Sequence, residues 1–467
     1  MGQKTTIGEN GIHDARQLGI PRMLILGLQH TFAMFGATVL VPLLTGLDIA
    51  TTLLMAGLGT LLFHFLTKLK VPAFLGSSFA FLGGYATVAP KLADGSANLE
   101  MLPYAALGVV CAGLLYLVLA LLFKVCNVKR VMKFFPPVVT GPIIIAIGLI
   151  LAPSAIGNCQ SNWIIAIVAF GTVVAFNIWG KGMAKIIPIL MGIIVACVFS
   201  VILHLCGVEV FDAAKIEALK DAPILGFPIK WSQTVFAVKD ASLAVNAIIA
   251  IAPIALAAMM EHIGDISAIS STTGRNFMAD PGLHRTLLGD GLATSLSAVF
   301  GGPANTTYGE NTGVLALSKV YDPKVVRIAA VFAIILSFSP AVAACINIIP
   351  AAVIGGISLI LYGMISAIGA RNLIENKVDL TKSRNVIIAA TILVSALGFN
   401  SVGGIVIPVG DNATITLTGL AIAAILGILL NAILPGNDYE FKTEDPEGSD
   451  TGIDFAVTEG VRQSKLK

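Results

Sequence analysis

The chain is expected to fold as an all-α polytopic membrane protein, and three features of its sequence lead there. First, its 467 residues are 56% hydrophobic and only 12% charged, with a mean hydropathy of +0.89; soluble domains carry about 25% charged residues. Second, apolar runs of roughly 18 residues or more recur along almost the whole length, which is what a helix needs to cross hydrocarbon. Third, Lys and Arg gather at alternate connections between those runs, as they do on the cytoplasmic side of membrane proteins. A soluble all-α enzyme would need far more polar surface. A closed β-barrel would show dyad alternation, which the runs lack.

Fourteen segments are expected, at about 20–43, 50–67, 71–90, 103–124, 135–152, 160–178, 186–206, 241–263, 286–301, 306–320, 325–348, 350–370, 384–400 and 414–434. With the N-terminus inside, the inner connections hold Lys68 and Lys70; Lys124, Lys129, Arg130 and Lys133; Lys181 and Lys185; Arg275 and Arg285; Lys319, Lys324 and Arg327; then Arg371, Lys377, Lys382 and Arg384. The outer connections hold Lys91, apart from the long connector 207–240, whose Lys215, Lys220, Lys230 and Lys239 are mixed with acids. This alternation implies an even number of spans in the cell membrane, with both termini cytoplasmic.

The connector at 207–240 divides the chain into residues 1–206 and 241–434, with seven segments on each side. An odd number per half makes the second half enter from the opposite face, the arrangement of an inverted repeat. The third and tenth segments correspond, and both are interrupted: VPAFLGSSFAF at 71–81 and GGPANTTYGENTG at 301–313. Paired interruptions of this kind point to a binding site at the membrane midplane. Residues 435–467 are polar, acidic and then basic, and read as a cytoplasmic tail.

The net charge of +2 is too small to suggest a nucleic-acid partner, and none is expected. The six cysteines (Cys111, Cys126, Cys159, Cys197, Cys206, Cys345) form no CxxC pair, so no metal or disulfide framework is expected, and no cofactor. No cleaved signal peptide is expected at the start. MGQKTT fits a myristoylation pattern at Gly2, but a chain full of spans needs no lipid anchor, and the match is read as chance.

Few ionisable residues fall within the segments: His30, His64, His204, Glu261, His262, Asp265, Asp290 and Glu310. A charge at mid-bilayer costs about 3 kcal/mol on insertion scales, so each is a functional candidate. His64 and His204 sit alone on apolar backgrounds and read as packed or interfacial. His30 has Gln29 and Thr31 beside it and could orient a neighbour. Asp290 opens the ninth segment and reads as lying at its wetted end. Glu261 and Asp265 are spaced i, i+4 and share a helix face. Two carboxylates side by side in low dielectric repel, so the pair can load and release a proton as its surroundings change. A solvated helix end is the alternative for them.

A broken helix leaves N–H groups without partners, directed at whatever lies before the helix. Within a bilayer such backbone is tolerated only against protein or a cavity. Phe79, Tyr308 and Gly309 would thus offer backbone donors, and Glu261 and Glu310 carboxylate acceptors. A ligand that matches has ring N–H donors, carbonyl acceptors and a flat face, as a nucleobase does. A small anion does not match, because the acids would repel it. One coupled proton would add about 2.3 kcal/mol per 100 mV, enough to make uptake concentrative.

These residues resemble the nucleobase–ascorbate transporter family, and within it the bacterial uracil:proton symporters. The matching stretches are LQHTFAMFGATVLVPLLTG (28–46), VPAFLGSSFAF, MMEHIGD (259–265), DPGLHRTLLGDGLAT (280–294), PANTTYGENTGV (303–314) and GGISLILYG (355–363), spread over essentially all fourteen segments. The resemblance implies a seven-plus-seven inverted repeat with a core domain (about 20–124 plus 241–348) and a gate domain (about 135–206 plus 350–434). It also implies a short β-strand in each of segments three and ten, with substrate between them. It makes Glu261 the acid that grips the base, and Glu310 the acid that opens the motif GENTGVLALSK. Purine members often carry Gln there, so Glu310 favours a uracil-like pyrimidine. The resemblance has Phe79 and Gly309 supply amides, with Ser78 and Tyr308 beside them and Tyr362 facing the site from the gate. It implies a proton as co-substrate, carried among Glu261, Asp265 and His30, and a homodimer formed through the gate. At Asp265 the chain departs from one bacterial uracil symporter, which has His there, and agrees with many purine members; a xanthine or uric acid symporter is therefore the rival. The motif also ends in Ser318-Lys319 rather than Thr and a basic residue. An anion exchanger of the same architecture is a second rival, and would want a basic or neutral centre.

Overall fold

A computed structural model describes residues 11–92, 96–125, 133–409 and 413–437. Gly2, Cys126, Lys129, Arg130 and residues 438–467 of the tail lie outside the described residues. The chain opens with helix α1 (Ile20–Thr45), closed by Gly46 in the left-handed conformation, and α2 (Ile49–Leu66), capped by Asp48, whose Oδ1 accepts from the Thr51 amide at 2.8 Å. Strand β1 (Leu75–Ser77), a 3-10 turn (Phe79–Phe81) and the short α3 (Leu82–Val88) make up the first interrupted segment. Then come α4 (Leu102–Val125), α5 (Pro137–Cys159), α6 (Trp163–Trp179) and α7 (Pro188–Leu205). The connector contains a small helix, α8 (Ala213–Lys220).

The second half begins with α9 (Ala241–Ile251) and α10 (Ala255–Thr273), joined by a 3-10 turn at Ala252–Ile254. It continues through α11 (Leu283–Val299), β2 (Asn305–Thr307), α12 (Gly309–Ser318), α13 (Pro323–Ser337), α14 (Pro340–Asn347) and α15 (Ala351–Glu375). It ends with α16 (Ser383–Ser401), the hairpin β3 (Ile405–Val409) and β4 (Ala413–Leu417), and α17 (Gly419–Ile433).

Among the described residues, eight helical stretches are long and apolar enough to cross a membrane, or nine if α13 and α14 count as one bent span. The stretches 79–88, 163–179 and 419–433 are apolar but shorter. Helix α11 misses the length and composition of a span for a physical reason. It packs against α2 and α4 rather than lipid, so its Gly, Ser, Thr and Asp residues face protein. Its contact with α4 is close enough that a Cβ on Gly113 would lie 2.2 Å from Ser295 Oγ.

Four expectations are corrected here. The segment at 325–348 is not one straight span: α13 and α14 meet at 86°, because Pro340 lacks an amide donor and forces Ser339 into extended backbone (φ −110°, ψ 98°). The segment beginning at 414 starts as a strand, since the β-branched residues before Thr418 pair with 405–409. The segment at 241–263 runs on to Thr273, so Glu261 and Asp265 lie inside a helix rather than at a solvated end. Asp290 does not sit at a wetted end; it lies in the middle of α11 with 0% exposure. His64 is packed, its Nε2 2.8 Å from the Ala73 carbonyl.

The helices associate in two groups. Helices α1, α2, α4, α9, α11 and α13 pack on one another, with α10 and α12 attached. Helices α5, α6, α7, α15, α16 and α17 form the second group, centred on the contact between α5 and α15.

Candidate functional site

The two interrupted segments meet. Strands β1 and β2 pair antiparallel, with Leu75 opposite Thr307, Gly76 opposite Thr306 and Ser77 opposite Asn305. Each strand is also tied to the helices around it. The Leu75 amide donates to Thr60 Oγ1 at 2.9 Å, and Asn305 Nδ2 donates to the Met55 carbonyl at 2.9 Å, both on α2. Thr294 of α11 donates to the Asn305 carbonyl. Backbone that has left the helix thus finds partners in neighbouring protein, as a hydrocarbon surrounding demands. Gly76 is required by the crossing: a Cβ there would lie 2.5 Å from the Tyr308 ring.

A cavity of about 1160 Å³ opens beside this crossing. It is lined by Ser77, Phe79, Thr306, Thr307, Tyr308, Gly309 and Glu310 from the two interrupted segments, and by Glu261, Gly264 and Asp265 from α10. Leu361 and Met364 of α15 and Ile186 face it from the other helix group. Glu261, Asp265 and Glu310 are half-buried. Asp265 Oδ2 accepts from Thr307 Oγ1 at 2.7 Å, which ties α10 to β2. Gly309 and Glu310 begin α12, where first-turn amides have no acceptor inside the helix. The wall therefore presents three carboxylates, helix-start amides and the half-buried Phe79 side chain. The cavity is also lined by Lys185, Arg371, Lys377, Lys382 and Arg384.

Of the residues singled out in the sequence, Glu261, Asp265, Glu310, Phe79, Gly309 and Tyr308 come together on this wall. The expectation that Tyr308 offers its amide is corrected. That amide donates to the Phe74 carbonyl at 2.9 Å, because the ladder runs one residue past the strands. The Tyr308 phenol turns away as well, donating to the Ser77 carbonyl at 3.0 Å and accepting from Thr38 Oγ1 at 3.3 Å. Ser78 continues the ladder, its amide on the Ala304 carbonyl at 2.8 Å. Neither Ser78 nor Tyr362 is on the cavity wall; both are 2% exposed. His30 lies behind the wall, where Asn311 Nδ2 donates to its Nδ1 at 3.1 Å and to its carbonyl at 3.0 Å, holding the first turn of α12.

Thr307 and Asn311 went unnoticed in the sequence. Small polar residues in a polar run carry no distinguishing mark, and the pairing of β1 with β2 decides which hydroxyls face the acids.

A family model described as "Permease family" matches residues 21–405. The chain is 40% identical over 428 residues to the uracil permease of Bacillus caldolyticus, covering 89% of this chain and 93% of that one. It is 38% identical over 423 residues to the uracil permease of Bacillus subtilis, covering 87% and 91%. Among solved structures, the transmembrane domain of a cyanobacterial bicarbonate transporter, BicA, superposes with a TM-score of 0.57 at 16% identity, covering 91% of this chain and 99% of that one. At that identity the likeness is one of fold.

Proposed function

The chain belongs to the nucleobase–ascorbate transporters of the permease family, and from that premise we propose that it takes up uracil together with a proton. It is a multi-pass membrane protein and a transporter. The observation that carries the reading is the meeting of two interrupted segments beside three carboxylates on one cavity wall. Uracil offers two ring N–H donors, two carbonyl acceptors and a flat face. Glu261 and Glu310 accept from the ring, the amides that begin α12 and the turn at Phe79 donate to the carbonyls, and Phe79 covers the face. Three acids on one wall disfavour an anion, so the fold shared with a bicarbonate transporter does not bring that cargo with it.

A pyrimidine of about eight heavy atoms reaches micromolar affinity, about 8 kcal/mol, only by using nearly its whole edge. The cavity is far larger than such a ligand, so the part beside the crossing is the site and the remainder a vestibule. The vestibule is lined by Lys185, Arg371, Lys377 and Lys382, on the side that charge alternation assigns to the cytoplasm. Fourteen spans arranged as an inverted repeat in the cell membrane, termini inside, accommodate this geometry. The core (about 20–124 plus 241–348) then moves against the gate (about 135–206 plus 350–434) and exposes the site to each side in turn. A homodimer through the gate is part of the same proposal.

Radiolabelled uracil should accumulate in transport-deficient cells carrying the protein, and a protonophore should abolish it. Xanthine and uric acid should compete poorly, and effective competition would shift the reading to a purine. Accumulation that survives the protonophore overturns symport. Glu310→Gln should abolish uptake; normal uptake would remove Glu310 from the site.

A further inference from the structure

Behind the cavity wall lies a second set of ionisable groups that the binding reading leaves unused. His262 and Asp290 are each 0% exposed, and His262 Nδ1 stands 3.5 Å from Asp290 Oδ2. The same nitrogen is 3.4 Å from Thr307 Oγ1, and that hydroxyl donates to Asp265 Oδ2 at 2.7 Å. Thr306 Oγ1 adds a long contact to Asp290 Oδ2 at 3.5 Å. Among the described residues, neither His262 Nε2 nor Asp290 Oδ1 has a hydrogen-bond partner. Phe63 of α2 closes the other side, edge-on to His262. The titratable groups facing this pair are Glu261 and Asp265 on its own helix, Glu310 on α12 and Tyr116 on α4. Asp265 and Thr307 both line the cavity, and Asp265 stands at that end of the chain of contacts.

We propose that His262, backed by Asp290, is a buried proton site loaded from the cavity through Asp265 and the Thr307 hydroxyl. The inference rests on the symport reading and says where the proton travels. Its chemistry follows from the number of hydrogens available. A threonine hydroxyl has one proton to donate and lone pairs to accept with. When Asp265 is charged, the hydroxyl donates to it across the 2.7 Å contact. When Asp265 takes a proton from cavity water, the carboxyl becomes the donor and the hydroxyl turns to His262 Nδ1. Asp265 then passes its proton to Thr307 Oγ1, and Thr307 passes its own to Nδ1. One proton leaves Asp265, one arrives on His262, and Thr307 is unchanged. The imidazolium so formed faces the Asp290 side chain at 3.5 Å, an opposite charge that would pair with it. That pairing draws the proton inward and leaves Asp265 able to accept from substrate. All four residues belong to the core elements α10, α11 and β2, so the proton would ride with the site as the core moves.

The test uses purified full-length protein in liposomes, measuring three properties: uracil binding, exchange of labelled against unlabelled uracil without a gradient, and accumulation driven by a pH gradient. With one proton coupled, a gradient of one pH unit supports about tenfold accumulation by the wild type. His262→Asn keeps polar atoms near the imidazole positions but cannot carry the proton. It should bind and exchange uracil and lose the tenfold accumulation. Thr307→Val should lose accumulation, and Thr307→Ser, which keeps the hydroxyl, should regain it. Gradient-driven accumulation by His262→Asn equal to wild type overturns the relay while leaving symport standing. Loss of uracil binding in His262→Asn also overturns it, in favour of a strut that holds β2. A wild type that binds uracil but moves no proton with it overturns symport, and the relay with it.

Discussion

Adding one methyl group at Gly76 tests whether the crossing of the interrupted segments sets the geometry of the site. The Cβ of Gly76→Ala would fall 2.5 Å from two carbons of the Tyr308 ring and 2.8 Å from its hydroxyl. Ordinary contact is about 3.5–4.0 Å, so ring and strand must part by about 1 Å. The ring cannot give way cheaply. Its hydroxyl is held by Ser77 and Thr38, its amide by Phe74, and its side chain is buried. Overpacking of this kind costs about 1–3 kcal/mol. The strain also reaches Gly309 and Glu310, the next residues along the chain, and misplacing a binding group by about 1 Å can cost on the order of 100-fold. Gly76→Ala should therefore melt earlier and bind uracil more weakly by ten- to 100-fold, on the order of 1.4–2.8 kcal/mol. Thermal unfolding and titration with labelled uracil in detergent read both quantities. Tyr308→Leu removes the three atoms nearest the added methyl, so in that background it should cost much less; the coupling between the two positions isolates the clash. Wild-type melting and affinity in Gly76→Ala would refute the reasoning, as would equal penalties in both backgrounds.

Three further outcomes follow from particular contacts. Asn311→Leu leaves the His30 carbonyl and Nδ1 without their donor in a buried place, and should cost about 1–3 kcal/mol of stability, with weaker uptake because α12 loses its anchor; unchanged melting would refute this. Asp48→Ala removes the cap of α2 and the ion pair with Lys230 at 2.9 Å. It should cost about 1 kcal/mol, whereas Lys230→Ala should cost much less because that side chain is 62% exposed; equal losses in melting would count against the cap. Finally, the segment after Gly11 clips onto the end of α12 and the start of α13, with the Ile12 amide on the Lys319 carbonyl at 2.8 Å and Asp14 beside Lys324 at 3.3 Å. The Arg16 amide and then Lys324 hold the Asp14 carboxyl below its ordinary 3.8. A carboxyl lowered on folding stabilises above its unfolded value and loses that contribution as pH falls through the folded one. Asp14 thus contributes no change between pH 5 and pH 7, but burial holds the neighbouring His13 imidazole below its ordinary 6.5, so the unfolded segment takes up that proton first and protection of the Ile12 amide from hydrogen exchange should be weaker at pH 5 than at pH 7 after correction for intrinsic rates; equal protection would refute this.

Much of the site was legible because charge and broken backbone are costly in a membrane. Glu261, Asp265 and Glu310 stood out for being there at all, and the Pro, Gly and hydroxyl runs at 71–81 and 301–313 could not continue as lipid-facing helix. What stayed hidden depended on neighbours. Asp290 read as wetted because α11 is too polar for a span, but a helix enclosed by α2 and α4 needs no apolar surface. The amide of Tyr308 read as free because a break in a helix can be recognised from one segment alone, while the carbonyl of Phe74 that occupies it comes from the other.

The sequence by itself determined that the chain spans a membrane many times, that two of its segments are interrupted, and that acids lie near those interruptions. These follow from composition and local order, where hydrocarbon admits few solutions. Only the tertiary structure decided which amides, hydroxyls and acids meet, and placed His262 and Asp290 together behind Thr307. That outcome depends on the register of two three-residue strands lying more than 200 residues apart in the chain, and local chemistry along one segment does not specify register with another.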